Sequence, residues 1–115
     1  MTLLEKLHAR LVDAGIPHCY MLSSPDIPSC VTVAPYNSVP MADIPMSRES
    51  FQVAVRAPTY HEALSTAWAA VKALEYFPLL SFRQTPTYLG PNEDGSAVCV
   101  FNLDVPASWD SHNER

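Results

Sequence analysis

Cysteine and histidine are the residue types in this sequence whose side chains could act as nucleophile, base or metal ligand. The chain has three cysteines and four histidines in 115 residues. His18 and Cys19 are adjacent, so in an extended segment their side chains point apart and are poorly placed to share a metal ion. Cys99 alternates with apolar neighbours, which favours a packed thiol over a reactive one. A small enzyme that uses Cys19 or Cys99 with a histidine stays open as an alternative, because such partners meet only in the fold.

The other patterns that could carry chemistry give no support for an enzyme. Glu93 and Asp94 are adjacent carboxylates, but they fall in a turn-like segment where such residues are common. Three scattered glycines cannot build a phosphate-binding loop or a dinucleotide-binding fingerprint. We therefore expect no catalytic residue, no cofactor and no metal.

The composition describes one folded domain. A chain of 115 residues fits a single domain, and 48% hydrophobic with 17% charged residues excludes an intrinsically disordered one. The formal charge of -5 disfavours direct nucleic-acid binding, which needs a basic surface. No apolar run is long enough for a membrane span, and the N-terminal pattern is not that of a secretory signal. We expect a soluble cytosolic product with free thiols and no membrane contact.

Two segments carry the start signals of helices. Residues 2–5 (TLLE) read as a capping box before a leucine pattern, which predicts a short amphipathic N-terminal helix that ends near Ala14. Residues 59–62 (TYHE) are a second capping box, which opens a longer helix that should run to about Tyr76, before Pro78.

Four segments have the alternation or the β-branched composition of strands: 30–36, 51–57, 80–89 and 97–105. A turn at 90–95 joins the last two into a hairpin. We predict an α/β (α+β) domain over residues 1–105, with a mainly antiparallel sheet of about four strands, a short N-terminal helix and one long helix packed on the sheet. Residues 106–115 are expected to form a polar C-terminal tail.

The segment 37–49 has no regular period and contains two prolines, so it is predicted to be a loop. Apolar residues that no element folds inward either plug under the domain or cover a partner. Four large side chains in or beside this loop are candidates for a subunit interface: Tyr36, Met41, Ile44 and Met46. Methionine suits such a surface because its side chain is adaptable. The alternative is that these residues fold back on the domain's own sheet.

Four blocks of the sequence follow one another in an order found in one protein family: SFQVAVRA at 50–57, TYHEA at 59–63, TYLGPNEDG at 87–95 and VFNLDV at 100–105. Over about residues 44–105 the chain resembles the tail terminator or minor capsid proteins of long-tailed bacteriophages. In that family a QV.VR strand precedes a Y.EA helix, and a YLG.DE.G hairpin leads into an F.FNF.V strand. The chain departs from this pattern at Leu103, where an aromatic residue is usual, and at Pro91 and Asn92 in the hairpin.

The resemblance implies a structural virion protein that assembles into a hexameric ring. Such a ring caps the finished tail tube, stops its growth and offers a surface to the head-completion or connector protein, while DNA passes through without sequence-specific binding. The protein would be in the host cytoplasm before assembly and in the virion, at the head-tail junction, afterwards. Arg56 and Asn102 match recurrent polar positions of the family and join the candidate interface residues. No catalytic residue comes with the resemblance.

Two further alternatives stay open besides the small enzyme. One is another connector of the same virion, such as a head-closure or tail-completion subunit, which would differ in the partner that it binds. The other is a host regulatory or ligand-binding module of the same fold.

Overall fold

The computed structural model describes residues 1–109. Within this range the chain forms two helices and five strands. In chain order they are α1 (Leu3–Asp13), β1 (Cys19–Met21), β2 (Cys30–Pro40), β3 (Met46–Ala57), α2 (Tyr60–Leu74), β4 (Ser81–Pro91) and β5 (Ala97–Ser108). The predicted α+β class is confirmed.

All five strands belong to one mixed sheet with the order β1-β2-β3-β5-β4. The pairs β2-β3, β3-β5 and β5-β4 are antiparallel, whereas β1 runs parallel to β2 and pairs only with residues 31–33. The sheet therefore has one strand more than the four or so that the sequence predicted. That strand is β1, whose three residues are too short for a local pattern and are fixed by pairing with β2.

Both helices begin where their capping residues predict. Thr2 Oγ1 accepts the Glu5 amide at 3.2 Å, and the Glu5 carboxylate accepts the Thr2 amide at 2.9 Å. The hydrogen bond from the Thr2 backbone amide, followed by a hydrogen bond with the Thr2 side chain, holds the pKa of the Glu5 carboxyl below its ordinary value. At α2, Thr59 accepts the Glu62 amide at 3.2 Å. This helix ends at Leu74, slightly before the predicted end near residue 76.

The two helices cover one face of the sheet. Alternate residues of the three central strands point into this layer, among them Val33, Val53 and Phe101, each 0% exposed. The small side chain of Ala67 lets α2 approach the sheet closely, and Leu7 of α1 extends the same core. This layer is the only large apolar cluster among the described residues, and it holds the two helices against the sheet.

The hairpin formed by β2 and β3 extends beyond this core. The molecule measures 46 × 25 × 24 Å along its principal axes, and the hydrophobic core contains no residue between 34 and 50. The prediction of a loop at 37–49 is wrong, because residues 37–40 pair with 47–50 as strands and only 41–45 form the turn. The prediction of a loop rested on Pro40 and Pro45, but proline is tolerated on an edge strand or beside a turn.

The strand β5 also continues past the predicted boundary at residue 105. Residues 105–108 pair with 46–49 of β3, so the first residues of the predicted polar tail belong to the sheet. Trp109 follows directly, and its indole Nε1 donates to the Ser47 hydroxyl at 2.8 Å. The remainder of that predicted tail, 110–115, lies outside the described residues. Below, residues 34–50 with 106–109 are called the arm, and the rest of the described chain is called the body.

Candidate functional site

The four predicted interface residues of segment 36–46 lie together on the arm. Tyr36 and Ile44 are 54% and 44% exposed, and the two methionines beside the turn are half-buried. The structure adds two exposed large side chains that the sequence analysis missed, Val39 and Trp109, which are 48% and 50% exposed. These residues are called the arm surface below: Tyr36, Val39, Met41, Ile44, Met46 and Trp109.

The exposure of the arm surface follows from the absence of a covering layer. No element within residues 1–109 covers 35–40 of β2, which are all exposed on both faces of the strand. A narrow ribbon of strands hides neither face unless another layer packs on it. The stretch 34–47 also contains a single charged residue, Asp43. Depletion of charge together with Tyr, Trp and Met is typical of the buried centre of a protein interface.

Hydrogen bonds brace the arm from the side. The Met41 amide donates to the Met46 carbonyl at 2.9 Å across the turn, and the Trp109 amide donates to the Pro45 carbonyl at 3.0 Å. Together with the bond from the Trp109 indole to Ser47, these contacts tie the end of β5 to the turn. A surface that is already ordered loses less conformational freedom when a partner binds, which favours association.

The structure places Arg56 away from the arm. It lies near the other end of β3, ten residues from Met46, which is about 33 Å along an extended strand. Its Nη1 donates to the Ile27 carbonyl at 3.1 Å and to the Pro25 carbonyl at 3.5 Å. Arg56 therefore holds the connection between β1 and β2 in place, through contacts within the chain.

Asn102 lies in the middle of β5, on the sheet face away from the helices. Its Nδ2 donates to Gln84 Oε1 at 3.0 Å, and Gln84 Nε2 donates to Thr87 Oγ1 at 3.0 Å. Its Oδ1 is shielded from solvent and has no hydrogen-bond partner among residues 1–109. A shielded acceptor without a donor costs free energy. A donor supplied from outside the chain would therefore stabilise this side chain.

The cysteines are placed as packed thiols. Cys99 is 0% exposed, and burial raises its pKa. Burial also raises the pKa of Cys19, whose thiol donates to the Ile16 carbonyl at 3.2 Å. His8 Nε2 lies 3.1 Å from the Cys19 carbonyl oxygen, so this histidine contacts backbone and not sulfur. A raised pKa lowers the thiolate fraction at neutral pH, which is the opposite of nucleophilic activation.

The adjacent carboxylates Glu93 and Asp94 lie in the turn between β4 and β5. Asp94 Oδ1 accepts the Ser96 hydroxyl at 2.6 Å and the Ser96 amide at 2.9 Å. These two bonds, the hydroxyl's first, hold the pKa of Asp94 below its ordinary value. The carboxylate thus closes the turn.

Within residues 1–109, no group of three or more His, Cys, Asp or Glu side chains is arranged to hold a metal ion. No helix in the same range is long and apolar enough to cross a membrane.

No protein-family model matches the chain, and a comparison with curated proteins found no match. The function proposed below therefore rests on the arm and on the sequence blocks described above.

Proposed function

We propose that this protein is a structural virion protein, a tail terminator that forms a ring on the end of the tail tube and joins it to the head-completion complex. The observation that carries the proposal is the arm, a hydrogen-bonded hairpin whose stretch 34–47 exposes apolar side chains and contains a single charged residue. The ordered sequence blocks that resemble tail terminator proteins support the same function.

A ring requires contact between different surfaces of identical subunits. A head-to-tail contact generates a closed ring when its rotation closes on itself. The arm supplies one such surface, because its hairpin extends beyond the hydrophobic core and exposes apolar side chains. We propose a homo-oligomer, with six copies as in the family that the sequence resembles.

The charge of the chain suits a channel that DNA must traverse. The formal net charge is -5, and an acidic wall does not retain phosphate groups. The Arg56 guanidinium donates to two backbone carbonyls of its own chain, so fewer of its N–H groups remain to bind phosphate. The proposed ring therefore lets DNA pass and reads no base sequence.

The mass and the tube binding of the full-length protein test this proposal. Sedimentation velocity should show a species of several subunits, and the protein should bind the ends of tail tubes and limit their length. Ile44→Arg, on the arm, should lose assembly and tube capping. Val12→Arg, which changes an α1 residue of similar exposure (50% against 44%), should keep both.

A strict monomer that neither binds tubes nor limits their length would refute the proposal. Binding to head-completion proteins with no effect on tubes would instead indicate another connector of the head-tail junction.

A further inference from the structure

A second exposed apolar surface lies beside β4, on the body. Tyr60, Leu64 and Trp68 follow at a spacing of four along α2 and so share one side of the helix. The Tyr60 ring meets the Tyr88 ring edge to face, with centroids 5.0 Å apart, which shows that this side of α2 faces β4. Tyr60, Trp68 and Tyr88 are 52%, 44% and 42% exposed, and Leu89 is 63% exposed. These five residues are called the β4-edge surface below.

Both surfaces are large enough for the apolar centre of a stable interface. Each surface has four large side chains that are about half exposed, two or three of them aromatic, and at about 150–200 Å² apiece these leave roughly 300–400 Å² uncovered. A standard interface buries about 800 Å² on each partner, of which somewhat more than half is apolar. The largest apolar patch of an ordinary monomer is about 300–600 Å². Each surface is therefore about as large as the largest apolar patch of an ordinary monomer, and this chain carries two of them.

Both surfaces include a stretch of low charge. Residues 34–47 contain only Asp43 as a charged residue, and residues 84–92 contain none, whereas Arg48 pairs with Val39 and Glu62 lies between Tyr60 and Leu64. Because the formal net charge of -5 makes copies repel one another, contact is most favourable where charges are absent. The two stretches lie toward opposite edges of the sheet, one in β2 and the other in β4. Two unlike surfaces on opposite sides are what a head-to-tail contact between copies requires.

Prolines direct such a contact to side chains instead of backbone. Pro35 and Pro40 lie in β2, and Pro86 and Pro91 lie in the edge strand β4. A proline has no N–H, so it interrupts the row of donors with which an edge strand would pair to another chain. Register shifts break the regularity of β4 further. Copies are therefore hindered from extending one another's sheet.

From these observations we propose that the arm surface of one copy docks on the β4-edge surface of a second copy, so that subunits join head to tail. The proposal rests on the proposed oligomeric function and names the second half of its interface. The partner is this same chain, because a single molecule carries both apolar surfaces toward opposite edges of its sheet and can use each of them once.

Complementation between two interface variants of the full-length protein tests the docking. Ile44→Arg disables the arm and leaves the β4 edge intact, and Leu89→Arg does the reverse. Both side chains are exposed, at 44% and 63%, so neither change should unfold the chain. Val12→Arg is the matched control, with the same change of charge at a 50% exposed position on α1. Circular dichroism and the thermal midpoint verify the fold of all three.

Sedimentation velocity supplies the main readout. Each interface variant alone should be monomeric where the wild type and Val12→Arg assemble, with association weakened by about tenfold or more. An equimolar mixture of Ile44→Arg and Leu89→Arg should form a dimer and nothing larger. One intact arm then meets one intact β4 edge, and the two remaining surfaces are disabled.

Three results would overturn the proposal in distinguishable ways. Assembly of Leu89→Arg like the wild type would refute docking on the β4 edge and leave the proposed function standing. Dimers formed by either variant alone would show a contact between like surfaces. A wild-type protein that is monomeric at every concentration would remove the proposed function first, and the inference with it.

Tryptophan fluorescence gives an independent readout. The chain has two tryptophans, Trp68 on the β4-edge surface and Trp109 on the arm surface. In the wild-type protein both indoles lie on the docked surfaces, so its emission should shift to shorter wavelength as it assembles, because docking removes the indoles from water. Emission that stays constant while the wild-type protein assembles would overturn docking at these surfaces.

Discussion

The strand β2 is buried in the body and exposed in the arm, whereas β5 is mostly buried along its whole length. In the body, Val53 and Phe101 are each 0% exposed beneath the helices. In the arm, Tyr36 and Val39 are 54% and 48% exposed, although β2 continues to pair with β3 on either side of a bulge. Strand pairing alone therefore does not bury a side chain, because burial needs a second layer. The exposed apolar residues of the arm are available to a partner, whereas those beneath the helices of the body are not.

The largest expected difference between the two regions is the cost of removing an aromatic side chain. Phe101→Ala deletes a fully buried ring and should lower the free energy of unfolding by about 3–5 kcal/mol. Tyr36→Ala on the arm should change it by less than about 0.5 kcal/mol. Urea unfolding of both variants, at concentrations where the protein is monomeric, measures the two values. Similar losses at the two positions would remove the distinction between body and arm.

A smaller loss is expected where the arm joins the body. Ser50 Oγ donates to Asp104 Oδ1 at 2.7 Å, and Arg83 Nε lies 3.4 Å from Oδ2. Asp104 is 4% exposed, so Asp104→Ala leaves the buried Ser50 hydroxyl without this acceptor and should cost about 1–3 kcal/mol. Arg83→Ala is the control, because its side chain is 60% exposed and its ion pair should contribute less than about 1 kcal/mol. A larger loss for Arg83→Ala in urea unfolding would contradict this ranking.

A third change should loosen the arm alone. Trp109→Phe keeps an aromatic ring but removes the Nε1 donor to Ser47, which should cost about 0.5–1.5 kcal/mol. Hydrogen exchange should become faster at residues 41–47 and stay unchanged in the body. Trp68→Phe provides the matched control on α2 and should leave exchange in the arm as it is. Faster exchange throughout the body in Trp109→Phe would show that the bracing is not local.

The smallest effect is expected in acid, where the two hairpin turns should differ. Hydrogen bonds from Ser96 lower the pKa of Asp94, so the folded turn favours the charged carboxylate. This stabilisation is present above the ordinary aspartate pKa and is lost as the pH falls through the lowered value. The arm turn, closed by the backbone bond from Met41 to Met46, should change little over the same range.

Amide chemical shifts recorded against pH measure this contrast. The Ser96 amide should titrate in acid and the Met41 amide should not. In Asp94→Asn the Ser96 titration should vanish, because the amide side chain has no carboxyl proton to gain. A Ser96 titration that persists in this variant would assign it to another group.

Local signals predicted most of the fold. Both helices were predicted from capping threonines, and alternation predicted the body segments of four strands. The strand β1 and the outer part of the hairpin were not predicted, because they depend on pairing between distant segments. In residues 37–49 the prolines outweighed any strand pattern, although edge strands tolerate them.

The candidate site was predicted in part for a similar reason. The large apolar side chains of segment 36–46 stood out by composition in a stretch of low charge, which is how Tyr36 and Ile44 were found. Val39 was missed because it lies between Ser38 and Pro40 without a regular period. Trp109 was missed because the prediction assigned it to a polar tail, whereas its contacts with the arm arise only from the extension of β5.

The proposed function depends on the arm being the adhesive surface between copies of this chain. Hydrogen exchange of the wild-type protein, measured from concentrations where it is monomeric to those where it is assembled, tests this dependence. Exchange at residues 36–46 should slow upon assembly, while residues 53–55 in the body should keep the same protection at every concentration. Equal exchange at 36–46 in the monomer and in the assembly would contradict it.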